Sequence, residues 1–423
     1  MNIKVQKSKA KGEVLLPFSK SDLHRAIISS SLAKGISTIS NISLSNDVEV
    51  TINALRSLGA NIKQEENKLI IQGINNFSKV VSNELNMNES GSTLRFIIPL
   101  LSMFDNEFII MGSSSLFSRP LNVYEDIYIN QNLKFQLDNS RLIIKGKLKA
   151  GEYLIPGNIS SQFISGLLFL LPLLNGDSII KIIPPFESKS YVDMTVNTLG
   201  KFGINIIKKS DLEYMIEGNQ EYKACDYEIE RDYSQFAFYA VLGAINHDIT
   251  CKGLNIESLQ GDKEILKILE SFKVKYTINN NDITIHKAKK LEGELIDLSN
   301  CIDLGPILMI LSIFNSKPVK IINIERLRLK ESNRVEAMVS NLRKMNIKID
   351  IYDNEMIIYP SKIKKCKEHL QSFNDHRVVM ALTVLASVIK GNTIIENLEC
   401  VKKSYINFFK DMQLLGIEIG ICN

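Results

Sequence analysis

The chain has 423 residues, enough for two or three domains with substantial cores, and its 45% hydrophobic and 23% charged content is that of an ordinary globular protein. A formal net charge of +4 is small at this length and does not by itself point to nucleic acid. Six cysteines with no C-x-x-C pair and no histidine at metal spacing exclude a disulfide scaffold or a zinc module and read as reduced thiols.

The opening "MNIKVQKSKAKG" has no apolar h-region of a signal peptide, and the longest apolar stretch, "FISGLLFLLPLL" (163–174), is too short to span a bilayer. A soluble, cytoplasmic protein with neither a membrane nor a nucleic-acid partner is the expectation.

Taken in chain order, one pattern recurs. An apolar helix with a polar start is followed by a second helix, and that by a turn and an Ile-rich hairpin with period-2 alternation. The first unit starts its core helix near Ser21 ("KSDLHRAII"), its second helix near Asp47 and its hairpin within 55–73. The next has Ser92 ("SGSTLRFII"), Arg119 ("FSRPLNVYED") and 128–146, and the third Ser161 ("SSQFISGLL"), Ser190 ("ESKSYVDMT") and 197–218. Then come Ser234 ("DYSQFAFYA"), Asp262 and 268–287, followed by Asp303 ("CIDLGPILM"), Glu331 ("LKESNRVEAM") and 340–360. The sixth unit has Asp375 ("NDHRVVMAL"), Ser404 ("VKKSYINFF") and "FKDMQLLGIEIGICN" (409–423), which stops after one strand.

The core-helix starts are 71, 69, 73, 69 and 72 residues apart, so six units of about 70 fill the chain. Such a period is too long for a small-repeat solenoid. Each unit reads as an α/β fold, three of them closing one domain around the buried helices. The sixth unit lacks a strand and the opening "NIKVQ" has no unit, so the N-terminus is expected to complete the second domain. The expected domains are 19–230, and 1–18 together with 231–423.

A helix N-terminus prefers Ser, Asp or a bound anion, and disfavours cations unless something negative sits there. Yet Lys20 and Arg25 flank the first core helix, Arg95 lies in the second and Arg377 opens the sixth, while Arg119, Lys189, Lys330, Arg334 and Lys403 lie near the starts of the second series. Each alone reads as a solvated surface cation. Recurring at equivalent points with Ser pairs and Gly, they read as a site for a ligand with several phosphates or carboxylates.

The motifs "PFSKSDLHRA", "ESGSTLRF", "SRPL", "GNISSQF", "ESKSYVDMT", "CIDLGP", "RLKESNR", "FNDHR" and "KKSY" occur, in this order, in the enolpyruvyl transferase family, and the chain resembles its shikimate-pathway branch over essentially its whole length. The resemblance implies a two-domain inside-out α/β barrel, each domain built from three βαβαββ units, with the active site in the interdomain cleft. It implies transfer of the carboxyvinyl group of phosphoenolpyruvate to the 5-hydroxyl of shikimate 3-phosphate, with no metal or organic cofactor; a monomer is the expectation, although the sequence does not fix the oligomeric state. By the same resemblance Lys20, Ser21, Arg25, Ser160, Ser161, Gln162, Ser188, Tyr191, Asp303 and Lys330 hold shikimate 3-phosphate. Lys20, Arg119, Gln162, Arg334, Arg377 and Lys403 hold phosphoenolpyruvate, with Gly91 and Ser92 lining its pocket. Asp303, Glu331, Lys20 and Lys330 carry the chemistry.

Those residue types suit the reaction, because adding an alcohol to an enol ether needs a base for the hydroxyl proton and an acid for the methylene carbon. Asp303 is expected to take the first proton and Glu331 to give and retrieve the second. Other readings set beside these are that Asp303 caps its helix, that Ser160 and Ser161 are a redundant cap, that Glu331 pairs with Arg334 at i+3, and that His376 is structural. The chain departs from the family at Phe18, Glu89, Ser90 and Arg326, and Glu89 is expected to point away from the anion site or to pair with a cation. The rival readings are a UDP-N-acetylglucosamine enolpyruvyl transferase, a non-catalytic polyanion-binding paralogue and an RNA-end-processing enzyme. Against the first, "GSSSLFSRP" (112–120) lacks the cysteine usual in that enzyme.

Overall fold

Six sheets of four strands each carry the fold, in a computed structural model that describes residues 1–74, 77, 79–363, 365–366 and 368–422. Five of them have one plan: an edge strand, a second strand parallel to it, then an antiparallel hairpin whose later strand lies inward, and in the sixth the opening strand of the chain takes that inward place. The sheet Glu152–Pro156, Ser178–Ile183, Glu213–Ile216, Ile206–Ser210 shows the pattern, with Tyr153 opposite Ile180 and Ile180 opposite Tyr214. These three residues, with Ile155, Ile182 and Ile216, point into the core, as period-2 alternation requires.

The chain divides into two compact units, Phe18–Glu230 and Met1–Pro17 with Arg231–Asn423. In each, one sheet is completed by a strand distant in sequence. Asp226–Glu228 runs parallel to Ile36–Ser40 in the first unit, and Gly12–Leu15 runs parallel to Ile249–Lys252 in the second. The opening strand Asn2–Gln6 lies between Asn392–Glu396 and Ile419–Cys422, antiparallel to both. It occupies the place of the missing hairpin strand of the sixth unit, whose last residue, 423, lies outside the described residues.

Each unit has its own core, centred on three helices that are buried nearly all round. In Met1–Pro17 with Arg231–Asn423 these are Tyr233–Ile245, Gly305–Ile313 and His376–Val388, the last buried from His376 through Ser387. In Phe18–Glu230 they are Lys20–Leu32, Gly91–Leu100 and Ser161–Leu170. The exceptions to burial are informative. Gly91–Leu100 buries every residue but Ser92, Ser161–Leu170 every residue but Gln162, and Lys20–Leu32 leaves open only Lys20 and Ser21. These helices meet solvent through their first turns.

Gly166 permits the close approach of two of them. A Cβ there would lie 2.2 Å from Tyr124 Oη and 2.5 Å from the Arg95 carbonyl oxygen.

The second series begins near Asp47 and Ser190 as expected, with Asn46–Ser57 and Lys189–Lys201, but later than its polar residues suggest in the other four units. Pro120 follows Arg119, and the helix runs over Asn122–Asn130 after a short turn, Ser114–Phe117. Near Asp262 the helix Ile265–Ser271 follows a 3-10 turn, Gly261–Glu264. Lys330 directly follows the 3-10 turn Glu325–Leu329, and Lys403 ends another, Leu398–Lys403. Both lysines therefore sit where carbonyls are exposed, a favourable place for a cation, and not against a helix N-terminus.

Candidate active site

In Phe18–Glu230 the helix tips gather cations, among them Arg25 and Arg95 with neutral hydrogen-bond partners. Ser19 caps Lys20–Leu32, its Oγ accepting from Asp22 N, which leaves Lys20 and Ser21 in the open first turn. Lys20 Nζ lies 2.8 Å from Asp47 Oδ2. One turn on, Arg25 is buried and donates to Thr195 Oγ1 (2.8 Å), Ser21 O (2.7 Å) and Tyr191 O (2.9 Å), with its guanidinium over the rings of Phe96 and Tyr191. Burial draws it down to about 10, so it stays protonated at neutral pH. Arg25, Ser21 and Tyr191, expected together at shikimate 3-phosphate, are thus in contact. Ser188, at the start of Lys189–Lys201, has φ 53°, a left-handed conformation, and is buried.

The tips of Gly91–Leu100 and Ser161–Leu170 join through side chains. Ser160 Oγ accepts from Gln162 N, so Ser160 is the cap and Ser161 the first helical residue. Gln162 Nε2 donates to Ser92 Oγ at 2.9 Å and its Oε1 accepts from Arg95 Nη1 at 2.9 Å. Ser90 caps the other helix, accepting from Thr93 N. A Cβ on Gly91 would come 3.0 Å from Arg119 Nη1 and 3.3 Å from Arg95 Nη1, so any side chain here would push against two guanidinium groups that converge on it. Arg119 is buried and its Nε has no hydrogen-bond partner among the described residues. An unsatisfied buried guanidinium N–H is costly, and an anionic ligand would satisfy it.

In Met1–Pro17 with Arg231–Asn423 the cations are held by carboxylates. Arg334 has no exposed surface. Its Nη1 donates to Asp303 Oδ1 (2.7 Å), Nη2 to Glu331 Oε2 (2.5 Å), and Nε to Asp375 Oδ2 (2.8 Å). Burial alone would lower the guanidinium's pKa, but Asp375, Glu331 and Asp303 outweigh it and hold it above its usual value. Arg334, expected at phosphoenolpyruvate, directs four of its five N–H donors to these carboxylates.

Asp303 is the hub. Lys330 Nζ lies 3.2 Å from its Oδ1, and Arg377 Nη2 3.4 Å from its Oδ2. Burial would raise the carboxyl, but Arg377, Lys330 and Arg334 keep it well below the usual range. It caps nothing: it sits inside the turn Ile302–Leu304, and the following helix has no side-chain cap. Burial lowers Lys330, with Asp303 opposing. The capping role falls to Asp375, whose Oδ1 accepts from Arg377 N at 2.9 Å. Phe373 and Asn374 before it are both left-handed, φ 53° and 55°, which turns the Asn374 carbonyl to Lys403 Nζ at 2.6 Å.

Sequence reasoning passed over several neighbours. Asp47 was only a helix start, Arg95 a cation without a task, and Asp262 a helix start. Asp262 is buried, accepts from the Ser234 hydroxyl and is pushed up to about 6 by burial and by the Asp303 carboxylate. The "GD" of "QGDKE" at the polar start of the fourth unit was its sequence signal. Arg326, the departure from the family pattern, is buried and donates to Ser299 O at 3.3 Å. Among the described residues no cluster of three or more His, Cys, Asp or Glu has the arrangement of a metal site.

The family model for EPSP synthase (3-phosphoshikimate 1-carboxyvinyltransferase) matches residues 5–412. The chain belongs to this family. A 3-phosphoshikimate 1-carboxyvinyltransferase of Clostridium kluyveri is 43% identical over 99% of this chain and 98% of its own length. That of Clostridioides difficile is 42% identical over 100% and 99%. The fold is shared with an EPSP synthase from Acinetobacter baumannii, at a TM-score of 0.82 and 21% identity with both chains fully covered. The enolpyruvyl transferase NikO from Streptomyces tendae gives 0.81 and 16% identity over 99% of this chain and 98% of that one. The EPSP synthase fold is thus the one that presents these helix tips.

Proposed function

We propose that this chain transfers the carboxyvinyl group of phosphoenolpyruvate to the 5-hydroxyl of shikimate 3-phosphate, releasing phosphate. The hydroxyl oxygen adds to C2 of phosphoenolpyruvate while a proton reaches C3. The tetrahedral adduct then expels phosphate as the new methyl group gives a proton back. No electrons change hands, so the residues need only bind anions and move protons.

The observation that carries this reading is the Arg334 fork. One guanidinium holds Asp303 on Nη1 and Glu331 on Nη2, so two carboxylates are presented side by side with fixed orientation. Asp303 is ionised and can accept the hydroxyl proton, and its basicity would rise as a bound anion draws Arg377 or Lys330 from it. Glu331 suits the acid and base for C3. Lys330, beside Asp303, suits a proton relay or a donor to shikimate 3-phosphate.

Arg25, Ser21, Tyr191, Ser160, Ser161, Gln162 and Ser188 would hold shikimate 3-phosphate. Arg119, Arg377, Lys403 and Lys20, with Gly91 and Ser92, would hold phosphoenolpyruvate and stabilise charge as phosphate departs. Arg334 would act mainly by orienting the two carboxylates. We read the protein as a cytoplasmic monomer acting on small molecules, in keeping with six unpaired cysteines.

The test is phosphate release from phosphoenolpyruvate with shikimate 3-phosphate or UDP-N-acetylglucosamine as acceptor. Release with the first alone is the expected result. Release with the second alone would move the chain to the sister activity, and release with neither would remove the enzymatic reading.

A further inference from the structure

Arg95 touches neither proposed substrate pocket residue by chance of sequence. It is buried in the middle of Gly91–Leu100, yet its head reaches the tip of the neighbouring core helix. Its guanidinium lies over the Phe163 ring, 5.3 Å from Cζ to the centroid, and its Nη2 donates to Pro120 O at 3.1 Å, next to Arg119. Its own carbonyl accepts from Tyr124 Oη at 2.7 Å, so both ends of the residue are fixed.

An arginine side chain has only donors. The atom of Gln162 that meets Arg95 Nη1 at 2.9 Å must therefore be the amide oxygen, which places the NH2 group on the Ser92 side, 2.9 Å from Ser92 Oγ. An NH2 group has no acceptor to offer, so Ser92 Oγ must accept, and its one proton has to point elsewhere. Ser92 is the one residue of its helix that is not buried, and it stands beside Gly91, where Arg119 and Arg95 converge.

We propose that Arg95 is a positioning residue which, through Gln162, fixes the Ser92 hydroxyl as a hydrogen-bond donor to the ligand. A pocket lined by such a donor favours an anionic acceptor, a phosphate or carboxylate oxygen, over a ligand group that must itself donate. Arg95 also fixes the Arg119–Pro120 loop, so one buried side chain sets two of the pocket's donors. The inference rests on the reading that Gly91 and Ser92 line the phosphoenolpyruvate pocket.

A double-mutant cycle on the full chain tests it. Ser92→Ala should raise the KM for phosphoenolpyruvate about tenfold and leave kcat within about threefold, as expected for loss of one hydrogen bond to a charged group. In an Arg95→Met background, where the Gln162 amide is free to turn over, Ser92→Ala should change that KM by less than about twofold. Arg95→Lys, which keeps one donor for Gln162 Oε1, should restore part of the Ser92 effect. If Arg95→Met does not fold, Gln162→Leu removes the same donor to Ser92 and should abolish the Ser92 effect equally. An equal Ser92→Ala effect in wild-type and Arg95→Met or Gln162→Leu backgrounds would overturn the relay while leaving the activity in place. If the wild-type chain releases no phosphate, the functional reading has failed instead, and calorimetric titration with phosphoenolpyruvate then reads the same cycle as affinities.

Discussion

In Phe18–Glu230, Arg25 and Arg95 are held by carbonyl oxygens, hydroxyls, an amide and aromatic faces, and Arg119 Nε by no group among the described residues. In Met1–Pro17 with Arg231–Asn423, Arg334, Arg377 and Lys330 are held by Asp303, Glu331 and Asp375. Neutral partners satisfy a guanidinium without cancelling its charge, so the first arrangement keeps a positive field for a polyanion. Carboxylate partners cancel it, and in return Asp303 and Asp375 stay ionised although buried. The same helix-tip plan thus surrounds cations with neutral groups in one unit and with carboxylates in the other, which suits the anion-holding and proton-transfer roles proposed for them. Lys20 with Asp47 and Lys189 with Asp193 are exceptions on the first side, each one cation with one carboxylate.

The contrast is most sharply broken at Glu331. If the second unit supplies proton transfer, Glu331→Gln keeps the size and a hydrogen-bond acceptor for Arg334 but removes the acid. A kcat lower by about 10²–10⁴-fold, with KM values little changed, is expected from steady-state phosphate release. An unchanged kcat would take Glu331 out of the mechanism.

Arginine replacements separate the two kinds of partner. Arg334→Leu leaves three carboxylates around a lost cation and should destabilise the fold by about 3–5 kcal/mol in urea unfolding. Arg119→Leu removes a group with an unpartnered Nε and should cost less than about 1 kcal/mol while raising the KM for phosphoenolpyruvate roughly tenfold to hundredfold. Equal losses of stability in the two variants would erase the distinction.

The sixfold period was legible because each core helix is buried nearly all round and polar only at its start, a contrast that local composition records. The sharing of Arg334 was not. Its partners Asp303 and Asp375 are 31 and 41 residues away, and no local pattern says that three helix starts meet at one guanidinium. Glu331, three residues before it, was the only partner visible at helical spacing. Lys330 and Lys403 were read as opposing helix dipoles because 3-10 turns ahead of the helices look like helix starts in sequence. Arg95 went unassigned because its target, Gln162, lies 67 residues on.

Titration offers a test confined to the first unit. Asp22 is pushed up to about 7, chiefly by burial, although Tyr227 Oη donates to its Oδ1 at 2.8 Å. Its ordinary value in an unfolded chain is about 3.9. The folded state therefore holds a proton that the unfolded state has released, and stability falls as pH rises from about 4 to about 7, then levels off. Asp22→Asn keeps an acceptor for Tyr227 and cannot ionise. Urea unfolding at pH 5 and pH 8 should show the variant gaining on the wild type at the higher pH, by a few kcal/mol at most on the order of the linkage. A pH-independent difference would place Asp22 in water-like surroundings. Asp262, pushed up to about 6 in the other unit, keeps its own slope between about 4 and 6 in both proteins.

The smallest effect concerns the caps, where the two units do the same local job with different groups. Ser160 satisfies Gln162 N with a neutral hydroxyl and has no cation on its side chain, whereas Asp375 satisfies Arg377 N and holds Arg334 as well. Ser160→Ala should cost about 1 kcal/mol, the ordinary value of a lost N-cap. Asp375→Ser keeps a cap acceptor of the Ser160 kind but withdraws a buried carboxylate from Arg334, so a cost clearly above that of Ser160→Ala is expected. If the two costs matched, Asp375 would be a cap like the other, and Arg334 would not depend on it. The difference between them, read in the same unfolding experiment, measures what the charge adds beyond the cap.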